Sequence, residues 1–217
     1  MLISNCMKEK LKCVFTSDLH GSRTKYNRFF LYLEKVLPDA VFIGGDLSGS
    51  IKSRTIGDNN SFPYYLFESL KELKDTLQGS FPEIFLILGN DDSRNLEADL
   101  LKMEKSGLCC YLNEKHCKWQ GYDIFGYSYV PPTPFLFKDW ERYDVSIYVD
   151  PGSIPPEAGI SSIDKNIAED KYRTIKIDLE NHAKYIDFGK SICLFHSPPY
   201  KTQLDRGDVD GRKIDGV

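Results

Sequence analysis

Short apolar runs alternate along this chain with longer segments in which apolar residues recur every three or four positions. Four of the runs have the length and composition of strands that are buried on both faces. These runs are 13–15, 40–43, 84–88 and 192–195. The longer segments have the periodicity of amphipathic helices; they are 24–37, 64–77, 95–105 and 175–186. Strands that alternate with helices predict an α/β fold whose strands are largely parallel.

The pattern changes in the middle of the chain, where three short β-like segments follow one another. They are 109–112, 117–119 and 123–127. Gln120-Gly121, between the last two, predicts a tight turn, so we expect the chain to enter a second sheet here. Residues 130–162 then form a long irregular loop with six prolines, and loops of this length are usually functional or mobile. The polar stretch 48–62 is also predicted to be a loop.

The length, hydrophobic content, net charge and cysteine content of the chain limit the kinds of protein that it can be. A chain of 217 residues with 41% hydrophobic content can bury one sizeable core, so we expect a single domain, residues 1–217. The net charge of −4 predicts no long nucleic-acid surface. No apolar run approaches the ~18 residues of a membrane span, and the first ten residues lack the apolar core of a secretory signal. Six cysteines without C-x-x-C spacing are typical of reduced thiols, which favours a cytoplasmic protein.

Polar motifs follow each of the four apolar runs. In chain order they are Asp18-Leu19-His20, Gly44-Gly45-Asp46, Gly89-Asn90-Asp91-Asp92 and Phe195-His196-Ser197-Pro198. Because the carboxyl ends of parallel strands meet at one edge of a sheet, we expect these side chains to lie together. Carboxylates, an amide oxygen and imidazoles suit divalent metals of the Mg, Mn, Fe and Zn group. Any one of these residues alone is more often a helix cap or turn former, and it is the ordered set that favours a metal site. His116 and His182 lie outside the motifs, and we expect them at the surface.

The order of the motifs resembles that of the calcineurin-like metallophosphoesterase superfamily, which reads D-x-H, G-D, G-N-H-D/E, H and G-H-x-H. The resemblance runs from Asp18 to His196 and implies a two-sheet β-sandwich flanked by helices, in four α/β/β/α layers. It implies two divalent metal ions (Mn, Fe, Zn or Mg), with Asp46 as the bridge. Asp18 and His20 would bind one ion, and Asn90 and His196 the other. The implied reaction is hydrolysis of a phosphoester by a metal-bound hydroxide, on a small phosphoester or nucleotide-like substrate.

The chain departs from the family pattern at two places. Asp91 stands where the family histidine contacts the phosphate or protonates the leaving group, and an ionised aspartate there repels phosphate unless its pKa is raised. With Asp92, which we expect to orient a metal ligand or His20, it forms the candidate catalytic pair. Gly-His-x-His does not occur after His196, so we expect a C-terminally incomplete domain without its last element, an exposed sheet edge and reduced metal occupancy. Four tail carboxylates are the less favoured replacement ligands: Asp205, Asp208, Asp210 and Asp215.

A second class of function stays open at this point. A scaffold that has lost ligands can persist as a non-catalytic protein that binds metal or phosphate, or that acts through an interaction surface. Metal content and hydrolysis measured on one sample would separate the two classes. The substrate and the oligomeric state are not indicated by the sequence.

Overall fold

Two β-sheets lie between helices in the computed structural model of this protein, which describes residues 10–48, 61–163, 172–209 and 212–215. The strands are β1 (Cys13–Thr16), β2 (Ala40–Gly44), β3 (Glu83–Ile87), β4 (Cys110–Tyr111), β5 (Lys115–Trp119), β6 (Tyr122–Tyr127), β7 (Ser191–Phe195), β8 (Arg206–Val209) and β9 (Arg212–Asp215). The helices are α1 (Arg23–Val36), α2 (Phe62–Leu77), α3 (Glu97–Lys105) and α4 (Ile175–Ala183). The predicted α/β class is therefore confirmed.

The strand order explains how the site-bearing loops come together. The first sheet has the order β1-β2-β3-β4, with all neighbours parallel. The second sheet has the order β5-β6-β7, in which β5 is antiparallel and β7 parallel to β6. The loops that follow β1, β2 and β3 consequently leave the same edge of the first sheet.

Alternating side chains on β2 and β3 fill two different cores. Val41 and Ile43 pack with residues of α1, α2 and α3, whereas Ala40 and Phe42 pack with residues of the second sheet. This alternation is the period of two that a strand imposes on its side chains. On the far face of the second sheet, the Tyr127 hydroxyl donates to Asp178 of α4 over 2.7 Å. Helices thus flank the two sheets on both outer faces.

The prediction of a strand buried on both faces is wrong for β1. Val14 packs against the core on the helix side, but Cys13 is exposed and Phe15 is 63% exposed. The reason is position, because β1 is the edge strand of its sheet and β7 packs against β2 and β3 instead. Cys193, also expected in the core, is only half-buried on β7.

Local sequence signals account for the helix ends and for one turn. The Ser22 hydroxyl accepts from the Lys25 N–H at the start of α1, and Leu37 closes the helix in the left-handed region, with φ of 48°. Each predicted helix is found within three residues of its predicted ends. Gln120 and Gly121 have φ of 50° and 81°, which are the two positive values of a type I′ hairpin turn.

The segment 130–162 contains isolated bridges but no helix or strand, yet buried polar groups attach it to the rest of the molecule. The Asp139 carboxylate accepts from the backbone N–H groups of Arg94 and Ser162, both over 2.7 Å. This contact ties the segment to the chain just after the Gly89-Asn90-Asp91-Asp92 motif.

Most of the predicted loop 48–62 lies outside the described residues, and α2 already begins at Phe62. The sequence analysis identified no strand after the run 192–195, whereas β8 and β9 form two strands there that pair in antiparallel orientation. The Asp210-Gly211 pair between them is a hairpin signal that the sequence does carry. Within the described chain, none of the helices has the length and apolar character needed to cross a bilayer.

Candidate metal centre

Three of the predicted ligands sit on strained backbone at the carboxyl ends of β1 and β2. Asp18, His20 and Asp46 have φ of 57°, 48° and 52°, in the left-handed region that non-glycine residues seldom occupy. Two backbone hydrogen bonds join the loop after β1 to the loop after β2. The Asp18 N–H donates to Gly45 O over 3.1 Å, and the His20 N–H donates to Asp46 O over 2.8 Å. Strain of this kind persists where the surrounding structure over-determines it, and it clusters at functional sites.

Asp92 fixes the loop that follows β2. Its carboxylate is fully buried and accepts from the N–H groups of Leu47, Ser48 and Gly89 over 2.9, 2.7 and 3.0 Å. Burial raises the pKa of Asp92, and these hydrogen bonds lower it in part. Among the described residues the carboxylate makes no hydrogen bond with His20, so of the two orienting roles expected for Asp92 the contacts favour the one toward a ligand loop.

Two glycines let the loops approach each other closely. A Cβ at Gly89 would lie 2.3 Å from Asp46 Oδ1 and 2.6 Å from His196 Cε1. A Cβ at Gly45, where φ is 99°, would lie 2.7 Å from His196 Nδ1. Any side chain at either position would therefore displace Asp46 or His196.

The first group of donors lies on one side of the Asp46 carboxylate. His20 Nε2 is 3.7 Å from Asp46 Oδ2 and 3.8 Å from Asp18 Oδ1, and ligand atoms of the three residues lie within 4.8 Å of one another. These separations exceed hydrogen-bond length. They match donors placed around a shared cation, since two donors at ~2.1 Å from one ion lie about 3–4 Å apart.

The second group lies on the other side of the same carboxylate. His196 Nδ1 is 2.7 Å from the Gly44 carbonyl oxygen, which can only accept, so Nδ1 carries the proton. Nε2, on the other side of the ring, lies 3.0 Å from Asn90 Oδ1 and 3.5 Å from Asp46 Oδ1. When Nδ1 alone carries a proton, Nε2 and these two oxygens are three converging acceptors, an arrangement that suits a bound metal ion.

Asp46 is the shared member of both groups. Its side chain is 6% exposed, and burial raises its pKa while His196 and the Asp91 N–H lower it. That N–H donates to Asp46 Oδ1 over 2.9 Å. A carboxylate that is buried away from water in this way is strongly stabilised by a cation bound beside it.

Asp91 lies beside His20, at the solvent side of the centre. Asp91 Oδ2 is 3.6 Å from His20 Nδ1, and the Asp91 side chain is 45% exposed. The carboxylate thus faces the ring nitrogen opposite to the one that faces Asp46. Carboxylates in this relation to a metal-binding histidine orient its ring and raise its basicity.

The structure brings all five predicted ligands into one cluster with Asp91. Sequence reasoning missed two neighbours of Asp18: the Ser17 hydroxyl donates to the Asp18 carboxylate, and Lys25 Nζ donates to the Asp18 carbonyl oxygen over 2.9 Å. The position of Lys25 in the first turn of α1, directly after the first motif, was the available signal.

The tail carboxylates proposed as replacement ligands are described only in part. Asp205 is buried and accepts from the Lys201 N–H over 2.7 Å, which closes a local turn. The side chains of Asp208, Asp210 and Asp215 lie outside the described part of the chain.

Comparisons with known proteins bear on the fold. No family model matches the chain, and no curated protein matches it. The protein TT1561 of Thermus thermophilus is similar in structure, with a TM-score of 0.52 at 15% identity, over 90% of this chain and 72% of that one. A second crystal structure gives a TM-score of 0.53 at 12% identity, over 94% of this chain and 76% of that one. At these identities the likeness shows a shared fold alone.

Proposed function

We propose that this protein is a metal-dependent phosphoesterase built on the two-sheet sandwich of the calcineurin-like metallophosphoesterases. One observation carries the proposal: the two oxygens of the buried Asp46 carboxylate face two different imidazoles, His20 at 3.7 Å and His196 at 3.5 Å. A carboxylate placed in this way suits the bridge between two cations about 3.5–4 Å apart.

The donor sets divide between two ions. Asp18, His20 and Asp46 Oδ2 would hold the first ion, and Asn90, His196 and Asp46 Oδ1 the second. Divalent ions in such a site lower the pKa of bound water and neutralise charge on phosphoryl oxygens. The mixture of hard oxygens with one imidazole per ion suits Mn, Fe, Zn or Mg. With three protein donors for each ion, we expect partial occupancy after dialysis.

The protein's own groups keep the ligand cluster in place and select the substrate. Asp92 holds the loop that carries Asp46, and the bare Cα of Gly89 lets Asp46 and His196 meet. Asp91 adds negative charge on the solvent side of the centre, where a small phosphoester or nucleotide-like substrate would approach. Because a monoester brings more negative charge than a diester, this carboxylate favours diesters over monoesters.

Asp91 is also the observation that favours a second candidate function. Its carboxylate is 3.6 Å from His20 Nδ1, at the position that the family fills with a histidine able to donate a proton. A centre that holds metal but lacks this donor would serve a non-catalytic protein that binds metal or phosphate.

A parallel assay of metal binding and hydrolysis tests the proposal. The protein is loaded with Mn²⁺ and tested on bis-para-nitrophenyl phosphate and para-nitrophenyl phosphate, together with Asp46→Asn and the control Asp99→Asn. Asp99 pairs with Lys102 on the exposed face of α3. We expect Mn²⁺-dependent diester hydrolysis that falls by roughly 100-fold or more in Asp46→Asn and is unchanged in the control. Bound metal without turnover would support the non-catalytic function, and turnover that survives Asp46→Asn would refute the assignment of the centre.

A further inference from the structure

Two histidines outside the candidate metal centre meet at the surface of the second sheet. His116 Nε2 on β5 is 3.2 Å from His182 Nδ1 on α4. Both rings lie against Phe125 of β6, with centroid distances of 4.7 Å for His116 and 4.8 Å for His182. A single aromatic side chain thus sets the positions of both imidazoles, which lie 66 residues apart in the sequence.

The surroundings of His116 favour a free lone pair on the nitrogen that faces His182. The buried carboxylate of Asp123 lies 4.0 Å from His116 Nδ1, and Lys118 pairs with the same carboxylate over 2.9 Å. A carboxylate on this side favours a proton on Nδ1, which leaves Nε2 as the acceptor. Burial and the neighbouring His182 lower the pKa of His116, which keeps its ring neutral near pH 7.

The separation of the two nitrogens fits ligands of a single metal ion. Two imidazole nitrogens bound to one zinc ion at the tetrahedral angle lie about 3.3–3.4 Å apart. The observed 3.2 Å needs only a small adjustment, and the His116 side chain is 26% exposed, so an ion and its remaining water ligands have access. Asp123 would then supply the outer carboxylate that commonly orients a metal-bound histidine.

We propose that His116 and His182 form a second metal site, for Zn²⁺ or a similar borderline divalent cation completed by water. The site joins β5 to α4 and does not depend on the function proposed for the Asp46 centre. An ion that binds only the folded chain stabilises it, and at ten times its dissociation constant it multiplies the ratio of folded to unfolded protein by about eleven. Without an ion, the same pair makes one N–H···N hydrogen bond.

Imidazole ¹⁵N NMR tests this site directly, because the chain has four histidines. Zn²⁺ is added to Asp46→Asn protein, in which the candidate centre lacks the carboxylate shared by its two donor groups, and to the same protein with His182→Phe or His116→Phe. The phenylalanine keeps an aromatic ring against Phe125 and removes the nitrogen ligands. We expect Zn²⁺ to shift the signals of His116 and His182 together, and each remaining signal to stop responding when its partner is replaced.

Thermal unfolding gives a second measurement on the same proteins. We expect Zn²⁺ to raise the unfolding temperature of the Asp46→Asn protein and to leave that of either phenylalanine variant unchanged. A His116 signal that responds equally after His182→Phe, or a folded parent protein whose two signals ignore Zn²⁺, would overturn the proposal. If a phenylalanine variant fails to fold, His182→Gln provides the same comparison.

Discussion

Replacing Asp92 by asparagine tests whether one buried carboxylate holds the loop that carries Asp46, the candidate bridging ligand. One Asp92 oxygen accepts from the N–H groups of Leu47 and Gly89, and the other accepts from the N–H and hydroxyl of Ser48. The amide of asparagine must turn its NH₂ group toward one of these pairs. The less costly orientation faces Ser48, because its hydroxyl can reverse and accept, and this leaves the Ser48 N–H without an acceptor.

The expected loss of stability follows from the number of hydrogen bonds that the asparagine cannot make. One unsatisfied buried N–H costs about 1–3 kcal/mol, and the two remaining hydrogen bonds weaken when their acceptor becomes neutral. The neutral amide is easier to bury than the carboxylate, whose pKa burial raises, and this offsets part of the loss. We therefore expect Asp92→Asn to lower the free energy of unfolding by about 2–3 kcal/mol. Displacement of the ligand loop should also weaken metal binding by roughly 10–100-fold.

Urea unfolding and Mn²⁺ titration of the two neighbouring aspartate variants provide the assay. For the urea measurement alone, Asp91→Asn is the matched control, because that side chain is 45% exposed and its loss should change stability by no more than about 0.5 kcal/mol. An Asp92→Asn protein with the urea midpoint and metal affinity of the wild type would refute the role assigned to this carboxylate.

Three further predictions concern single residues. Gly89→Ala should abolish metal binding, since its Cβ would lie 2.3 Å from Asp46 Oδ1, whereas Gly79→Ala, with nothing within 4 Å, should bind as wild type in the same titration. Burial raises the pKa of Cys109 from its ordinary value of 9.0 to about 12. Between these two pH values the thiol ionises in the unfolded chain but not in the folded one, so we expect the free energy of unfolding to fall as the pH rises from 9.0 towards about 12. Iodoacetamide near neutral pH should spare Cys109 in the folded protein, and its alkylation there, detected by peptide mass spectrometry, would contradict its burial. Asp91→His should raise monoester hydrolysis relative to diester hydrolysis, and an unchanged ratio of the two nitrophenyl substrates would remove Asp91 from the account of specificity.

Local signals predicted the helices and the main turn, because those signals act within a few residues. The apolar spacing placed the end of α1 within one residue, and Gln120-Gly121 predicted the hairpin turn. The exposure of Phe15 could not be predicted in this way. Whether a strand is covered on both faces depends on its position in the sheet and on the strands opposite, and neither is encoded in the run itself.

The candidate site, like the fold, could be predicted only in part from the sequence. The order of the motifs predicted that Asp46 would lie near the other candidate ligands, because strand direction alone brings such loops to one edge. The contacts of Asp92 with the backbone of Leu47 and Ser48 were not predictable, since they depend on the close approach of two loops about 45 residues apart. The meeting of His116 and His182 was missed for the same reason, as each residue alone has the sequence context of a surface position.

Anomalous diffraction from crystals equilibrated with excess Mn²⁺ tests the central claim most directly. We predict two peaks about 3.5–4 Å apart, on either side of the Asp46 carboxylate. One peak should lie beside Asp18 and His20 and the other beside Asn90 and His196, both weaker after dialysis. Crystals of the folded protein in excess Mn²⁺ with no peak at Asp46, or with a single ion that touches neither histidine, would contradict a two-metal centre at this carboxylate.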